Sequence, residues 1–213
     1  MSRPNSPAAR NRRGSALSAR RVTFALLACM LPWAAWSQDA PDLDWIDRDA
    51  LAAGEVVVHT DRAERPLTAL IKVAVEIDAP APAIWDVLTA CELAPQYVPN
   101  VVSCRSLEKL DGGRAELFLQ VVKPAFFLPS FEHVFRLDYA PYSRIDVHRV
   151  SGPIAYMEGS WWLLPQPSGK ILLVYRLELD PGVPVPRFFV RATLKRDLPR
   201  LVQAIRERAE AER

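Results

Sequence analysis

Hydrophobic positions along this chain follow three different periods, and each period predicts a different kind of element. The first informative stretch is Leu70 to Ile77, where Ile71, Val73, Val75 and Ile77 alternate with Lys72, Ala74 and Glu76. A period of two of this kind predicts a half-buried antiparallel strand. Asp78-Ala-Pro-Ala-Pro82 stops it, and Pro82 suits the first turn of a helix. Ile84, Trp85, Val87 and Leu88 then recur at helical spacing, so a helix is expected over 83–89. A second short helix is expected over 92–97, bounded by Pro95 and Pro99. Six further strands follow, over 101–110, 114–123, 131–140, 144–151, 156–165 and 170–180. Hairpin signals support them at Asp111-Gly112-Gly113 and Pro167-Ser-Gly-Lys170. From Arg187 the period becomes helical, with Phe188, Phe189, Leu194, Leu198, Leu201, Val202 and Ile205 read as one apolar stripe. Pro199 is expected to kink this helix or to mark a restart capped by Asp197.

The order strand, two short helices, six strands and long helix predicts an α+β fold built on a seven-stranded antiparallel sheet. One face of that sheet is apolar and must be covered. The C-terminal helix is the element long enough to cover it, and a curved sheet gripping a helix leaves an apolar gap suited to a hydrophobic ligand. Upstream, Trp45–Ala53 reads as a short helix ended by Gly54, and Glu55–His59 as a short strand. These fall in an N-terminal extension over residues 38–66, with the main domain spanning 67–213.

Charge changes the picture at the N-terminus. The chain carries 27 Lys+Arg and 25 Asp+Glu for a net charge of +2, but six of the arginines and none of the acids lie in residues 1–37. The remainder is acidic, which argues against a basic nucleic-acid-binding surface. Arg20-Arg21 precede an apolar run from Val22 to Trp36, shorter than the roughly 20 residues a membrane span requires. Ala35-Trp36-Ser37 has a small-x-small pattern, so residues 1–37 are read as a signal peptide cleaved near Ser37, directing export to the bacterial periplasm. Leu26-Leu-Ala-Cys29 is a loose lipobox and Arg20-Arg21 a partial twin-arginine signal; both are secondary readings.

Ile77-Asp-Ala-Pro-Ala-Pro-Ala-Ile-Trp-Asp-Val-Leu88 followed by Leu93-Ala-Pro-Gln-Tyr-Val-Pro-Asn-Val-Val102 resembles the START-like (SRPBCC, helix-grip) superfamily. Within it the resemblance is to the polyketide cyclase/dehydrase and coenzyme Q-binding branch. Gly159-Ser-Trp-Trp-Leu-Leu164 and Val174-Tyr-Arg-Leu177, with Pro184 leading into the last helix, agree with it. The resemblance implies a domain that binds a lipid, an isoprenoid quinone or an aromatic compound between sheet and helix.

On that fold the expected ligand-binding residues are Trp85, Phe126, Phe127, Phe131, His133, Phe135, Tyr139, Trp161, Tyr175, Phe188, Phe189 and Leu194. The candidates for acid–base chemistry, in the alternative reading as a cyclase/dehydrase-type enzyme, are His133 with Tyr139 or Tyr175. A third reading is an interaction module whose cavity is filled by its own aromatics. No cofactor is expected. No metal-ligand spacing joins His59, His133 and His148, and there is no G-x-S-x-G, P-loop or G-x-G-x-x-G motif. Pro124-Ala-Phe-Phe-Leu-Pro-Ser-Phe131 is apolar where connections are usually polar. It is read either as a lid over the cavity or as a loop packed on the last helix. The basic residues Arg191, Lys195, Arg196 and Arg200 raise the alternative of transient contact with anionic lipid. Cys91 and Cys104 flank the second short helix; export would permit a disulfide between them, but two packed free thiols are the preferred reading.

Overall fold

The computed structural model describes residues 40–61, 63, 65, 68–124, 129–182 and 187–211. The leader, including Cys29 and Ser37, and the apolar segment with Phe126 and Phe127 lie outside the described residues.

Among the described residues eight strands form one antiparallel sheet, where the sequence pattern predicts seven. In chain order they are β1 (Val57–Asp61), β2 (Ala69–Ile77), β3 (Val101–Leu110), β4 (Ala115–Val122), β5 (Phe131–Ala140), β6 (Arg144–Ser151), β7 (Tyr156–Pro165) and β8 (Ile171–Asp180). Their spatial order is β1-β2-β8-β7-β6-β5-β4-β3. The additional strand is the short N-terminal one, which lies two residues later than its sequence pattern suggests. It pairs with the edge of β2, from Val57 opposite Ala74 to Asp61 opposite Leu70. Alternation in β2 shows that its side chains are buried but not what closes its hydrogen-bonding edge, so this pairing leaves no mark in the pattern.

The other described elements are helices α1 (Arg48–Ala52) and α2 (Ala81–Thr89), a 3-10 helix over Cys91–Gln96, a single 3-10 turn over Asp111–Gly113 and the long α3 (Arg187–Ala211). Asp47 caps α1 by accepting from the amides of Asp49 and Ala50. The α3 helix runs uninterrupted through Pro199, so no restart is needed. Proline removes one backbone hydrogen bond there, and burial of Leu198 and Val202 on either side holds the turn together. Asp197 is a buried helix-interior carboxylate rather than a cap. It accepts from Asn100 Nδ2 at 3.2 Å and from Arg196 Nε at 2.7 Å. Among the described residues no helix is long and apolar enough to cross a membrane.

The main core joins the inward faces of β2, β7 and β8 to Leu198, Val202, Ile205 and Ala209 of α3. Each large side chain buried in this way contributes about 1.5–3 kcal/mol relative to exposure. A second, smaller cluster lies on the opposite face of the sheet. There Ile46 and Leu51 from the N-terminal segment cover Ala74, Leu172 and Val174, with Trp45 and Trp162 packed around them. The β8 strand is consequently buried on both faces and reads as a continuous apolar run. As expected from strand parity, Trp161 and Trp162 take opposite faces.

Candidate functional site

The inward face of β4 and β5 carries Phe118, Gln120, His133, Phe135 and Leu137. Gln120 and His133 stand directly opposite in the ladder, and the Gln120 Oε1 accepts from His133 Nε2 at 3.0 Å. With a carbonyl as that acceptor, Nε2 carries the ring proton. The imidazole is 4 % exposed and its Nδ1 has no hydrogen-bond partner among the described residues. It stacks on Phe135 at 5.4 Å with planes 27° apart. Burial alone pushes its pKa from 6.5 down to about 4, so the ring is neutral near pH 7. Gly152 makes this position possible: its backbone passes so close that a Cβ there would lie 2.7 Å from His133 Cβ.

Across the same face, Trp161 of β7 stands opposite Tyr175 of β8. Their rings stack at 3.7 Å and 9°. Gly159 leaves room for the tyrosine, since a Cβ there would sit 3.1 Å from its hydroxyl. Burial raises the Tyr175 hydroxyl pKa. A cavity of about 180 Å³ lies between these two aromatic rows. Leu201 and Ile205 of α3 close one side, and Leu88, Ala94, Tyr97 and Val98 close another. Tyr97 is fixed by donating its hydroxyl proton to Val87 O at 2.6 Å, and burial pushes its pKa up to about 12. Among the described residues none of the lining side chains is Asp, Glu, Lys or Arg.

The cavity brings together four of the expected ligand contacts: His133, Phe135, Trp161 and Tyr175. It does not include Tyr139, and the expected His133–Tyr139 pair is not formed. Six residues of extended strand separate the two by about 20 Å. Tyr139 instead donates to Glu116 Oε2 at 3.3 Å, and Ser106 donates to the other oxygen of the same carboxylate. Trp85 belongs to this second cluster, edge-on to Tyr139 and Tyr142 at 5.6 Å each. Phe131 starts β5, with its ring centre 6.1 Å from that of His133. Leu194 packs partly buried against the core without reaching the cavity.

Phe188 and Phe189 are 64 % and 57 % exposed, with their rings tilted against one another and centroids 4.2 Å apart. The helical period explains why the apolar stripe excludes Phe189. Phe189 lies nine residues before buried Leu198, about two and a half turns, and so projects from the opposite side of α3.

Gln120, Tyr97, Met157 and the two cysteines line the cavity without having been expected there. Strand parity sets Gln120 with Phe118 and Met157 with Trp161, but which length of each strand faces the cavity depends on the register. The cysteines also correct the thiol reading: Cys91 and Cys104 form a disulfide, their Cα atoms 5.3 Å apart. The 3-10 helix turns Cys91 back over β3 and brings the pair within bridging distance, which a separation of 13 residues does not reveal. Closing a loop of this size contributes about 3 kcal/mol.

Residues 77–206, more than half of the chain, match the family described as polyketide cyclase/dehydrase and lipid transport. The chain belongs to that family. Solved structures agree on the fold. A STAR-related lipid transfer protein from Xanthomonas axonopodis is 17 % identical, with a TM-score of 0.63 over 79 % of this chain and 95 % of that one. A START superfamily protein from Mycobacterium smegmatis is 22 % identical, with a TM-score of 0.60 over 68 % and 99 %. The Zhui aromatase/cyclase of Streptomyces sp. R1128 is 19 % identical, with a TM-score of 0.57 over 67 % and 94 %. No curated protein matches the sequence significantly. At these identities the family's fold is shared, while ligand and chemistry depend on the cavity itself.

Proposed function

We propose that this family member is an exported binding protein for a compact, uncharged, largely apolar molecule, held between the sheet and α3. The observation that carries this reading is an apolar cavity of about 180 Å³ with, among the described residues, no ionisable acid or base of the Asp, Glu, Lys or Arg type in its lining. A charged ligand buried there would have no counter-ion to offset desolvation, a cost of several kcal/mol. The volume lies below the roughly 300–1,000 Å³ of ordinary ligand pockets. Among lipid, quinone and aromatic classes, this size favours a ring compound over a long-chain lipid. The stacked pairs Trp161–Tyr175 and His133–Phe135 offer flat walls for such a ring. A neutral, single-tautomer imidazole suits orientation by hydrogen bonding more than acid catalysis, which favours binding over the cyclase alternative.

Native mass spectrometry of the mature protein, purified without detergent from its host, is expected to show one small neutral adduct per chain. Val147→Phe, which places a ring inside the cavity, is expected to abolish it. A ligand-free wild-type chain that turns over an apolar substrate would replace binding with catalysis.

Exchange of the ligand at an anionic lipid surface is part of the same reading. The exposed Phe188–Phe189 pair lies on α3 with Lys195 and Arg200, a combination that favours interfacial contact. Co-flotation with phosphatidylglycerol vesicles at low salt is expected for the wild type and not for Phe188→Ser/Phe189→Ser. Equal flotation of the two would remove the lipid surface from the proposal.

A further inference from the structure

One wall of the cavity is fastened to the sheet by a covalent bond. Cys91 opens the 3-10 helix, Cys104 lies on β3, and both line the cavity while being only 7 % and 8 % exposed. At its end the wall accepts a turn hydrogen bond from the first residue of β3, Val101 N to Val98 O at 3.3 Å, and its other hydrogen bonds run in other directions. Leu93 N and Tyr97 Oη return to Ala90 O and Val87 O, next to or within α2. From α3, Arg208 reaches Gln96 Oε1 at 2.7 Å and lies over the Tyr97 ring at 5.0 Å. The wall therefore hangs from the helices through polar contacts and from β3 through the disulfide, apolar packing and that one turn hydrogen bond. Cys91, Ala94 and Cys104 share the apolar core that joins α3 to strands β2, β7 and β8, but most of its buried side chains come from those four elements.

We infer that the Cys91–Cys104 disulfide is a redox latch on the ligand cavity. Oxidised, it holds residues 91–98 against β3 and keeps the cavity at a size that grips a compact ligand. Reduced, it releases that wall while the rest of the fold persists, and the ligand is lost. The ligand half of this inference rests on the binding reading above. The reducing partner is a dithiol, either a small molecule or a dithiol oxidoreductase. Its thiolate attacks one sulfur of the bridge, forming a mixed disulfide and releasing the other cysteine as a thiolate. Its second thiol then displaces the remaining cysteine, so the donor leaves as a disulfide and both chain sulfurs end as thiols after taking up two protons.

Both sulfur-bearing residues line the space the ligand would fill, so ligand and reductant compete for it. The coupling is reciprocal: the factor by which oxidation tightens ligand binding is the factor by which ligand stabilises the disulfide. Occupied protein is thus protected from reduction, and empty protein is the form that opens.

Amide hydrogen exchange on the oxidised and dithiothreitol-reduced chain tests the latch, with the state of Cys91 and Cys104 verified by peptide mass. Amides of 91–98 are expected to exchange about tenfold faster after reduction, within the range typical of coupled sites, while those of β7 and β8 stay unchanged. Unchanged exchange over 91–98 overturns the latch. So does loss of protection throughout, which would make the bond a general staple. The coupling is tested by the rate of reduction with and without saturating N-phenyl-1-naphthylamine, a neutral fluorescent probe. A roughly tenfold slowing is expected, and an unchanged rate with probe bound overturns the coupling. If the oxidised chain does not bind the probe, the binding reading is what fails, and the exchange experiment still decides the latch.

Discussion

Gly152→Ala is expected to destabilise the protein by about 4 kcal/mol, from a strained backbone and an overpacked neighbour acting together. Gly152 sits at φ +110°, a conformation that side-chain-bearing residues rarely adopt. A Cβ there would also meet His133 Cβ at 2.7 Å and the Glu132 carbonyl oxygen at 2.8 Å. Neither of those atoms is the end of a flexible side chain, so relief requires β5 to move. That strand has little freedom, because its pairing with β6 already shifts register between Val134 and Phe135. The Arg149 guanidinium further pins the turn through Gly152 O and Ile154 O. Urea unfolding of the variant measures the loss directly. A cost under about 1 kcal/mol would mean the turn relaxes without strain, contrary to this account. Displacement of His133 also predicts weaker ligand retention in whatever fraction of the variant folds.

Acid is expected to remove about 3 kcal/mol of stability through His133 alone between pH 6.5 and pH 4. The sign follows from where the proton binds. The unfolded imidazole takes up a proton near 6.5, whereas the buried ring resists until about 4. Within that window the unfolded chain holds more protons, so each step toward acid favours unfolding; above it the contribution is fully present. Paired carboxylates add their own acid sensitivity, but they do so equally in a His133→Phe variant. The difference between the two proteins in urea titrations at pH 7, 5.5 and 4 therefore isolates the histidine. Parallel curves would show that water reaches the ring and that it titrates normally.

Both expectations centre on a residue whose importance was visible in the sequence, while its partner was not. Alternation along 131–139 shows that His133, Phe135, Leu137 and Tyr139 share a face, and they do. What alternation does not show is which length of that face α3 leaves uncovered. The strand is longer than the cavity, and its two ends serve different neighbours: Gln120 for His133, Glu116 for Tyr139. Gln120 itself looks like an ordinary polar strand residue until the β4–β5 register is known. The long strands were legible because period two and strong turn residues coincide at both ends. The β1 pairing was not, because a five-residue strand of half-buried side chains carries almost no pattern. The helical period did contain the information that sets Phe189 apart from the Leu198 face, since spacing on a helix can be worked out residue by residue. The disulfide was beyond any such reading, because the fold of the 3-10 helix alone decides whether Cys91 and Cys104 meet.

The second apolar cluster has a consequence for where this domain begins. The family match starts at Ile77, the last residue of β2. The outer face of β2 and β8 is shielded by Ile46 and Leu51, and the hydrogen-bonding edge of β2 by β1. A fragment trimmed to the recognisable segment would lose both shields and nearly all of β2, presenting Leu172 and Val174 to water beside an unpaired strand edge. Surfaces of that kind join chains to one another. The unit of inheritance and the unit of autonomous folding therefore have different boundaries in this chain, and the second reaches back at least to the tryptophan, isoleucine and leucine of its N-terminal arm.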